Sequence, residues 1–157
     1  TRWLSDWSSD VCSSDLIEGI DLYTARIKRY ASFEIVTLPT LKSTRGLTPD
    51  EVKKREGLKQ MEAVSEESFL ILLDERGTEY STMEFATLMR RSASNLRKNI
   101  VFLVGGAWGF SPEVYKRADM KMSLSRLTFP HQLVRLLFIE QLYRVLTVIE
   151  GDPYHHE

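Results

Sequence analysis

The stretch Leu103–Ser111, LVGGAWGFS, sets two adjacent glycines and a third, Gly109, directly after the apolar run Ile100–Val104. Glycines at such a place let the backbone turn through positive φ or come close to another group. The spacing excludes two common phosphate cradles. G-G-x-x-G is not G-x-G-x-x-G, and no Gly-Lys-Ser/Thr follows that would hold β- and γ-phosphates. Two further segments sit where strands are expected to end, LDERG at Leu73–Gly77 and LSRLTFPH at Leu124–His131. In an open α/β sheet such ends meet at the carboxyl edge, where ligands bind. Three loops offering mostly backbone amides and carbonyls suit a ligand read by its shape and by an adenine edge, and suit a triphosphate poorly. His131, directly after Pro130 at a helix start, reads as structural. No His, Cys or carboxylate cluster has the spacing of metal ligands, so no metal is expected.

The elements that must position these loops follow from periodicity. Ile20, Tyr23, Ile27 and Tyr30 step by three or four residues, with Arg26, Lys28 and Arg29 between them, which predicts an amphipathic helix. Phe33–Leu38 alternates and is β-branched, as a strand would be, and Pro39–Leu47 is a basic, glycine-containing loop. Thr48–Glu51, TPDE, carries a capping-box pattern with proline at the first helical position, and the helix should run to about Val64. Phe69–Asp74, FLILLD, is a continuous apolar run closed by the turn ERG, the pattern of a strand buried on both faces. Ser81–Glu84, STME, caps a helix through about Asn95. Ile100–Val104 is a strand, Ser111 and Pro112 begin a short helix, MSLS at Met122–Ser125 is a brief strand, and a last helix runs from near Pro130 to near Gly151. Strands alternating with helices predict an α/β parallel sheet. The order opens on a helix, so the first strand is expected to be missing or replaced.

A chain of 157 residues is one domain's worth, long enough to bury roughly 70% of its unfolded surface. No apolar run approaches the roughly 20 residues of a membrane span. The longest, Leu133–Ile149, is interrupted by Arg135, Glu140, Gln141 and Arg144. A formal net charge of -1 does not announce a nucleic-acid binder. It averages over an uneven distribution: Ala86–Arg126 holds eight basic residues (Arg90, Arg91, Arg97, Lys98, Lys116, Arg117, Lys121, Arg126) against Glu113 and Asp119, a local charge of +6. That segment reads either as a solvated helix face or as an RNA-facing patch. The single cysteine, Cys12, excludes an intramolecular disulfide and a thiolate cluster and fits a cytosolic setting.

Residues 1–16, TRWLSDWSSDVCSSDL, look unlike everything after them, with Ser-Asp repeats, no starting Met and no periodicity. They lack both the basic-then-apolar start and the cleavage site of a signal peptide. Val11–Leu16 can be encoded by GTG TGC TCT TCC GAT CTN, which matches a ligation adapter of short-read sequencing libraries. The expectation is a non-native segment over 1–16, with DVCSSDL pairing poorly as a strand.

The most specific stretch comes last. Leu127–Glu157, LTFPHQLVRLLFIEQLYRVLTVIEGDPYHHE, combines a Pro130-His131 loop, a helix apolar nearly all round, and the tail DPYHHE. Taken with LVGGAWGFS, it resembles the SPOUT-class methyltransferases that act on a pseudouridine of the 23S ribosomal RNA, the RlmH family. The likeness runs from about Ile17 to Glu157 and is densest in Leu103–Ser111, Ser123–Arg135 and Tyr143–Glu157. The resemblance implies a SPOUT methyltransferase domain over 17–157: an α/β parallel sheet with a C-terminal trefoil knot, in which the last helix threads a loop, a rare exception to unknotted folds. It also implies a cytoplasmic homodimer that methylates N3 of a pseudouridine within the assembled ribosome, using S-adenosylmethionine bent into the knot, with no metal and no membrane. Leu73, Gly106 and the span Ser125, Arg126, Leu127, Thr128, Phe129 and Pro130 match the family's cofactor contacts. Gly105 would join Gly106 in making the backbone approach, with Trp108 packing at the rim. Tyr154 and His155 match the tail residues used around the target base, and Arg144 is a third candidate. The departure is His156, where relatives usually carry Arg or Lys. If that cation holds RNA phosphate, binding by this chain should be weaker or pH-dependent.

Methyl transfer to a ring nitrogen is an in-line displacement, so the enzyme mainly positions the acceptor and removes its imide proton. His155 is the candidate base; the alternative is that it hydrogen-bonds backbone or phosphate while the proton leaves to water. Tyr154 either stacks on or hydrogen-bonds a flipped base, or packs the tail. A reading of another class remains beside these, a knotted RNA- or ribosome-binding protein without catalysis.

Overall fold

Every residue of Ile100–Val104 is buried, as an apolar run must be when both faces of its strand are covered. The computed structural model describes residues 2–6, 14–96 and 99–156. In chain order the elements are β1 (Arg2–Asp6), α1 (Ser14–Ile27), β2 (Glu34–Leu38), α2 (Pro49–Ala63), β3 (Phe69–Glu79), α3 (Thr82–Leu96), β4 (Ile100–Val104), α4 (Pro112–Arg117), β5 (Met120–Ser123) and α5 (His131–Glu150). The strands form one sheet in the order β2-β1-β4-β3-β5, and every pairing is parallel.

Alternation along the central strands divides the core in two. Ile71, Ile100, Phe102 and Val104 pack with Phe85 and Met89 of α3, Ile27 of α1, and Phe138, Ile139 and Leu142 of α5. Phe102 and Phe138 lie 4.7 Å apart between ring centroids, with Phe85 edge-on to Phe102. Leu70, Leu72, Val101 and Leu103 point the other way, toward Val64 beyond α2, and Phe110 and Val114 around α4. The result is three layers, with α1, α3 and α5 on one face of the sheet and α2 and α4 on the other.

This layering corrects the reading of the basic segment. Arg90 and Arg91 sit on α3, whereas Lys116 and Arg117 sit on α4 across the sheet, so the segment is not one face. Arg117 is absorbed structurally, its guanidinium donating to the carbonyls of Ser65, Glu66 and Ser68 and pairing with Asp119 at 3.2 Å. Arg97 and Lys98 lie outside the described residues.

Of the two expectations for the first strand, missing or replaced, the first is corrected, since residues 2–6 occupy the position. β1 lies between β2 and β4, with Leu4 in register with Val36 on one side and Leu103 on the other. The ladder is made by backbone N–H and C=O groups, which any non-proline sequence carries, so weak strand propensity does not exclude a central position. Of the stretch expected to pair poorly, residues 10–13 lie outside the described residues, and Ser14–Leu16 open α1. Two other boundaries move. β5 begins two residues before MSLS, and β3 continues past the ERG turn, because Met122 of β5 pairs with both Leu73 and Thr78 and the residues between them bulge out.

Candidate cofactor cavity and tail cluster

The carboxyl ends of β3 and β4 and the loop between β5 and α5 close around a cavity of about 450 Å³, within the range of small-molecule and cofactor sites. Gly106 and Gly109 bridge across the turn, Gly109 N–H donating to the Gly106 carbonyl at 3.0 Å. Gly109 has φ 80°, the left-handed region that glycine enters at no steric cost. The paired glycines lie close against the protein's own side chains. A Cβ on Gly106 would stand 2.5 Å from Glu56 Oε2, and one on Gly105 would stand 3.1 Å from the Phe110 ring. Both glycines also border the cavity. The facing loop is stapled by Ser123 Oγ donating to the Ser125 carbonyl at 2.9 Å and by Leu127 N–H donating to Ser125 Oγ at 3.0 Å.

Of the cofactor-site residues expected from the sequence, Leu73, Gly105, Gly106, Ser125, Leu127, Thr128 and Phe129 line this cavity. Two do not. The Arg126 side chain is 88% exposed and reaches Glu79 at 3.4 Å, and Pro130 is spent as the residue before the first turn of α5. Trp108 stands at the rim, more than half exposed. His131, read as structural, also lines the wall. Sequence reasoning passed over Asp74 and Tyr115, which line the cavity and hydrogen-bond to each other through the phenol and Asp74 Oδ2. Burial, followed by that bond, pushes the Tyr115 phenol up to about 12. Asp74 falls within LDERG, a segment expected at the ligand edge, but nothing in that motif distinguishes its carboxylate as a contact.

Tyr154, Arg144 and His155 form a second group. The Arg144 guanidinium lies 5.0 Å over the Tyr154 ring and pairs with Glu140 at 2.5 Å. Tyr154 Oη lies 3.3 Å from Tyr23 Oη and donates to Glu140 Oε1 at 3.3 Å, while its ring meets Tyr143 edge-on at 4.7 Å. Burial, with the Tyr23 bond and the Glu140 charge, raises the Tyr154 phenol, so it stays protonated. Both ring nitrogens of His155 are shielded from solvent with no hydrogen-bond partner in the structure. An imidazole so placed forfeits the bonds it would make in water, at a cost of about 1–3 kcal/mol.

The two groups do not meet within one chain. From His131 at the cavity to Glu140 at the tail cluster is nine residues of α5, two and a half turns, which puts them about 14 Å apart along the axis and on opposite sides of the helix. Among the described residues no group of three or more His, Cys, Asp or Glu is placed to hold a metal ion, and no helix is long and apolar enough to cross a membrane.

Comparison with known proteins decides the family. The family described as Predicted SPOUT methyltransferase matches residues 10–155. The chain is 43% identical over 141 residues to the ribosomal RNA large subunit methyltransferase H of Bacteroides thetaiotaomicron, covering 90% of each chain. It is 43% identical over 137 residues to the protein of that name from Christiangramia forsetii, covering 87% of each. This chain belongs to the RlmH family of SPOUT methyltransferases. Its fold is similar to that of the tRNA (m1G37) methyltransferase from Aquifex aeolicus, with a TM-score of 0.55 at 15% identity, over 99% of this chain and 74% of that one. RlmH membership makes the chain a methyltransferase, and the parallel α/β sheet is the SPOUT architecture.

Proposed function

We propose that this RlmH-family chain, as a cytoplasmic homodimer, methylates N3 of a pseudouridine in the 23S ribosomal RNA of the assembled ribosome, taking the methyl group from S-adenosylmethionine. The observation that carries the reading is the single cavity on which the ends of β3 and β4 and the loop before α5 converge. Its volume suits a nucleoside-sized ligand, and its lining joins Gly105, Gly106, Ser125, Leu127, Thr128 and Phe129 to the charged and polar side chains of Lys53, Asp74, Glu75, Arg76 and Tyr115. A trefoil knot with α5 threaded through a loop belongs to the same proposal.

S-adenosylmethionine, when bound, supplies a sulfonium-activated methyl group. The protein's part is to place the acceptor nitrogen in line with that group and to remove its proton. Tyr154, protonated and edge-on to Tyr143, stacks on or donates to the displaced base. His155 accepts the N3 proton at a ring nitrogen, imidazole being the side chain that exchanges protons near neutral pH, which leaves the N3 electron pair free to take the methyl group the cofactor would supply. Arg144, held by Glu140, stays charged beside the base, and Leu73, Gly105, Gly106, Ser125, Leu127, Thr128 and Phe129 would hold the cofactor. Because α5 separates tail from cavity within one chain, we infer that the tail of one subunit serves the cavity of the other, each homodimer holding two composite sites.

Calorimetric titration with S-adenosylmethionine should show micromolar binding at one site per chain, and absence of binding ends the reading. His155→Ala should abolish methylation with cofactor affinity unchanged. Co-assembling His155→Ala chains with Gly106→Trp chains, each inactive alone, should restore about a quarter of wild-type activity, since half of the C2 dimers then carry one intact composite site. No restoration would place both halves of the site in one subunit.

A further inference from the structure

We propose that Asp74, oriented by Tyr115 and by the bulge of β3, is the ribose anchor of the cofactor cavity, accepting hydrogen bonds from a vicinal diol. The proposal rests on the reading that an adenosine-type cofactor occupies this cavity. It begins with the register of β3. Leu73 and Thr78 both pair with Met122, so the chain between them must leave the sheet. Gly77 makes this possible: a Cβ there would stand 2.6 Å from both the N and C backbone atoms of Met122. The ejected segment carries Asp74 to the cavity wall.

The carboxylate is fixed on both oxygens. Arg76 N–H donates to Oδ1 at 2.8 Å, closing the bulge, and the Tyr115 phenol donates to Oδ2. Tyr115 is itself held edge-on to Phe110, with ring centroids 5.7 Å apart and planes at 82°. An ionised carboxylate has about four acceptor positions, so one remains on each oxygen. Two fixed acceptors on one group match two adjacent hydroxyls.

The charge around the cavity argues against the cationic end of the cofactor as the partner. Lys53 and Arg76 line the same wall as Asp74 and Glu75, two of each sign, so the wall does not select a cation by field. A neutral diol loses nothing there.

Displacement calorimetry on the full chain tests this with 5′-methylthioadenosine, which keeps the diol and lacks both sulfonium and amino acid, against its 2′-deoxy form. The wild type should prefer the diol on the order of tenfold, the worth of a hydrogen bond to a charged acceptor. Asp74→Asn should lose most of that preference while its melting temperature stays near wild type. Tyr115→Phe, which keeps the carboxylate but frees it to rotate, should lose part of it. If Asp74→Asn weakens S-adenosylmethionine but leaves the diol preference intact, the carboxylate serves the cationic end and the proposal is overturned. Unchanged affinity for all ligands overturns it equally. If the wild type takes up no S-adenosylmethionine, the cofactor reading falls first and this proposal with it.

Discussion

A Cβ at Gly57 would stand 2.5 Å from Ser111 Oγ and 3.1 Å from Ser111 Cβ. Ser111 is buried and caps α4, its Oγ accepting from Val114 N–H at 3.4 Å. Gly57→Ala therefore strikes a cap that cannot swing aside, and the helix it displaces carries Tyr115. Overpacking of this kind is expected to cost about 1–3 kcal/mol, read as a lower midpoint in urea unfolding, together with a loss of S-adenosylmethionine affinity larger than Tyr115→Phe produces. An unchanged midpoint would show that α2 and α4 move apart freely. At this scale the sequence was uneven. The tail residues and the paired glycines stood out because they form motifs, and the Gly105–Gly106 turn lies where it was expected. Gly57 and Glu56 gave no signal, since a mid-helix glycine ordinarily reads as a weakness and a helical glutamate as a solvated charge. What they touch is supplied by chain some fifty residues away, at Gly106 and Ser111.

Local rules served the elements best where the interactions are local. The capping box of α2 is formed as TPDE foretold, with Thr48 N–H donating to Glu51 Oε2 at 2.7 Å and Glu51 N–H to Thr48 Oγ1 at 3.3 Å. Ser81 and Glu84 repeat the arrangement before α3 at 2.7 and 3.2 Å. In both glutamates the backbone hydrogen bond lowers the carboxyl below its ordinary 4.5. A folded-state value below the unfolded one contributes stability above the ordinary glutamate range and loses it as pH falls through the depressed value. The double variant Glu51→Gln, Glu84→Gln should therefore melt below wild type at neutral pH, and the gap should close on acidification; a gap independent of pH would mean that the carboxylate charges play no part. Where an element depends on distant pairing, sequence failed. MSLS was placed two residues late and ERG was taken for the end of a strand, because the double pairing of Met122 with Leu73 and Thr78 is a register between strands nearly fifty residues apart.

The whole molecule turns on a strand whose sequence pattern marks it as missing or replaced. β1 is central, and both of its edges are paired. Alternating residues of a parallel strand donate to opposite neighbours, so each N–H in a central strand has a place in one ladder or the other. A strand pattern in sequence is carried by β-branched, alternating side chains, whereas the position demands chiefly backbone donors and acceptors, so a segment of poor pattern fills it. Proline discriminates between the two views, since it removes a donor at any position and alters pattern little. Leu4→Pro sits in register with Val36 and Leu103 at once. It should destabilise the chain on the order of 3 kcal/mol and expose β2 and β4 as unpaired edges prone to association. β4 ends in the Gly105–Gly106 turn, so cofactor uptake should fall with the fold rather than after it. Circular dichroism, urea unfolding and S-adenosylmethionine titration of Leu4→Pro give the answer together. A variant that keeps the wild-type midpoint and affinity would mean that β2 and β4 hold their places without β1, and that the site is built by β3, β4 and the loop before α5 alone.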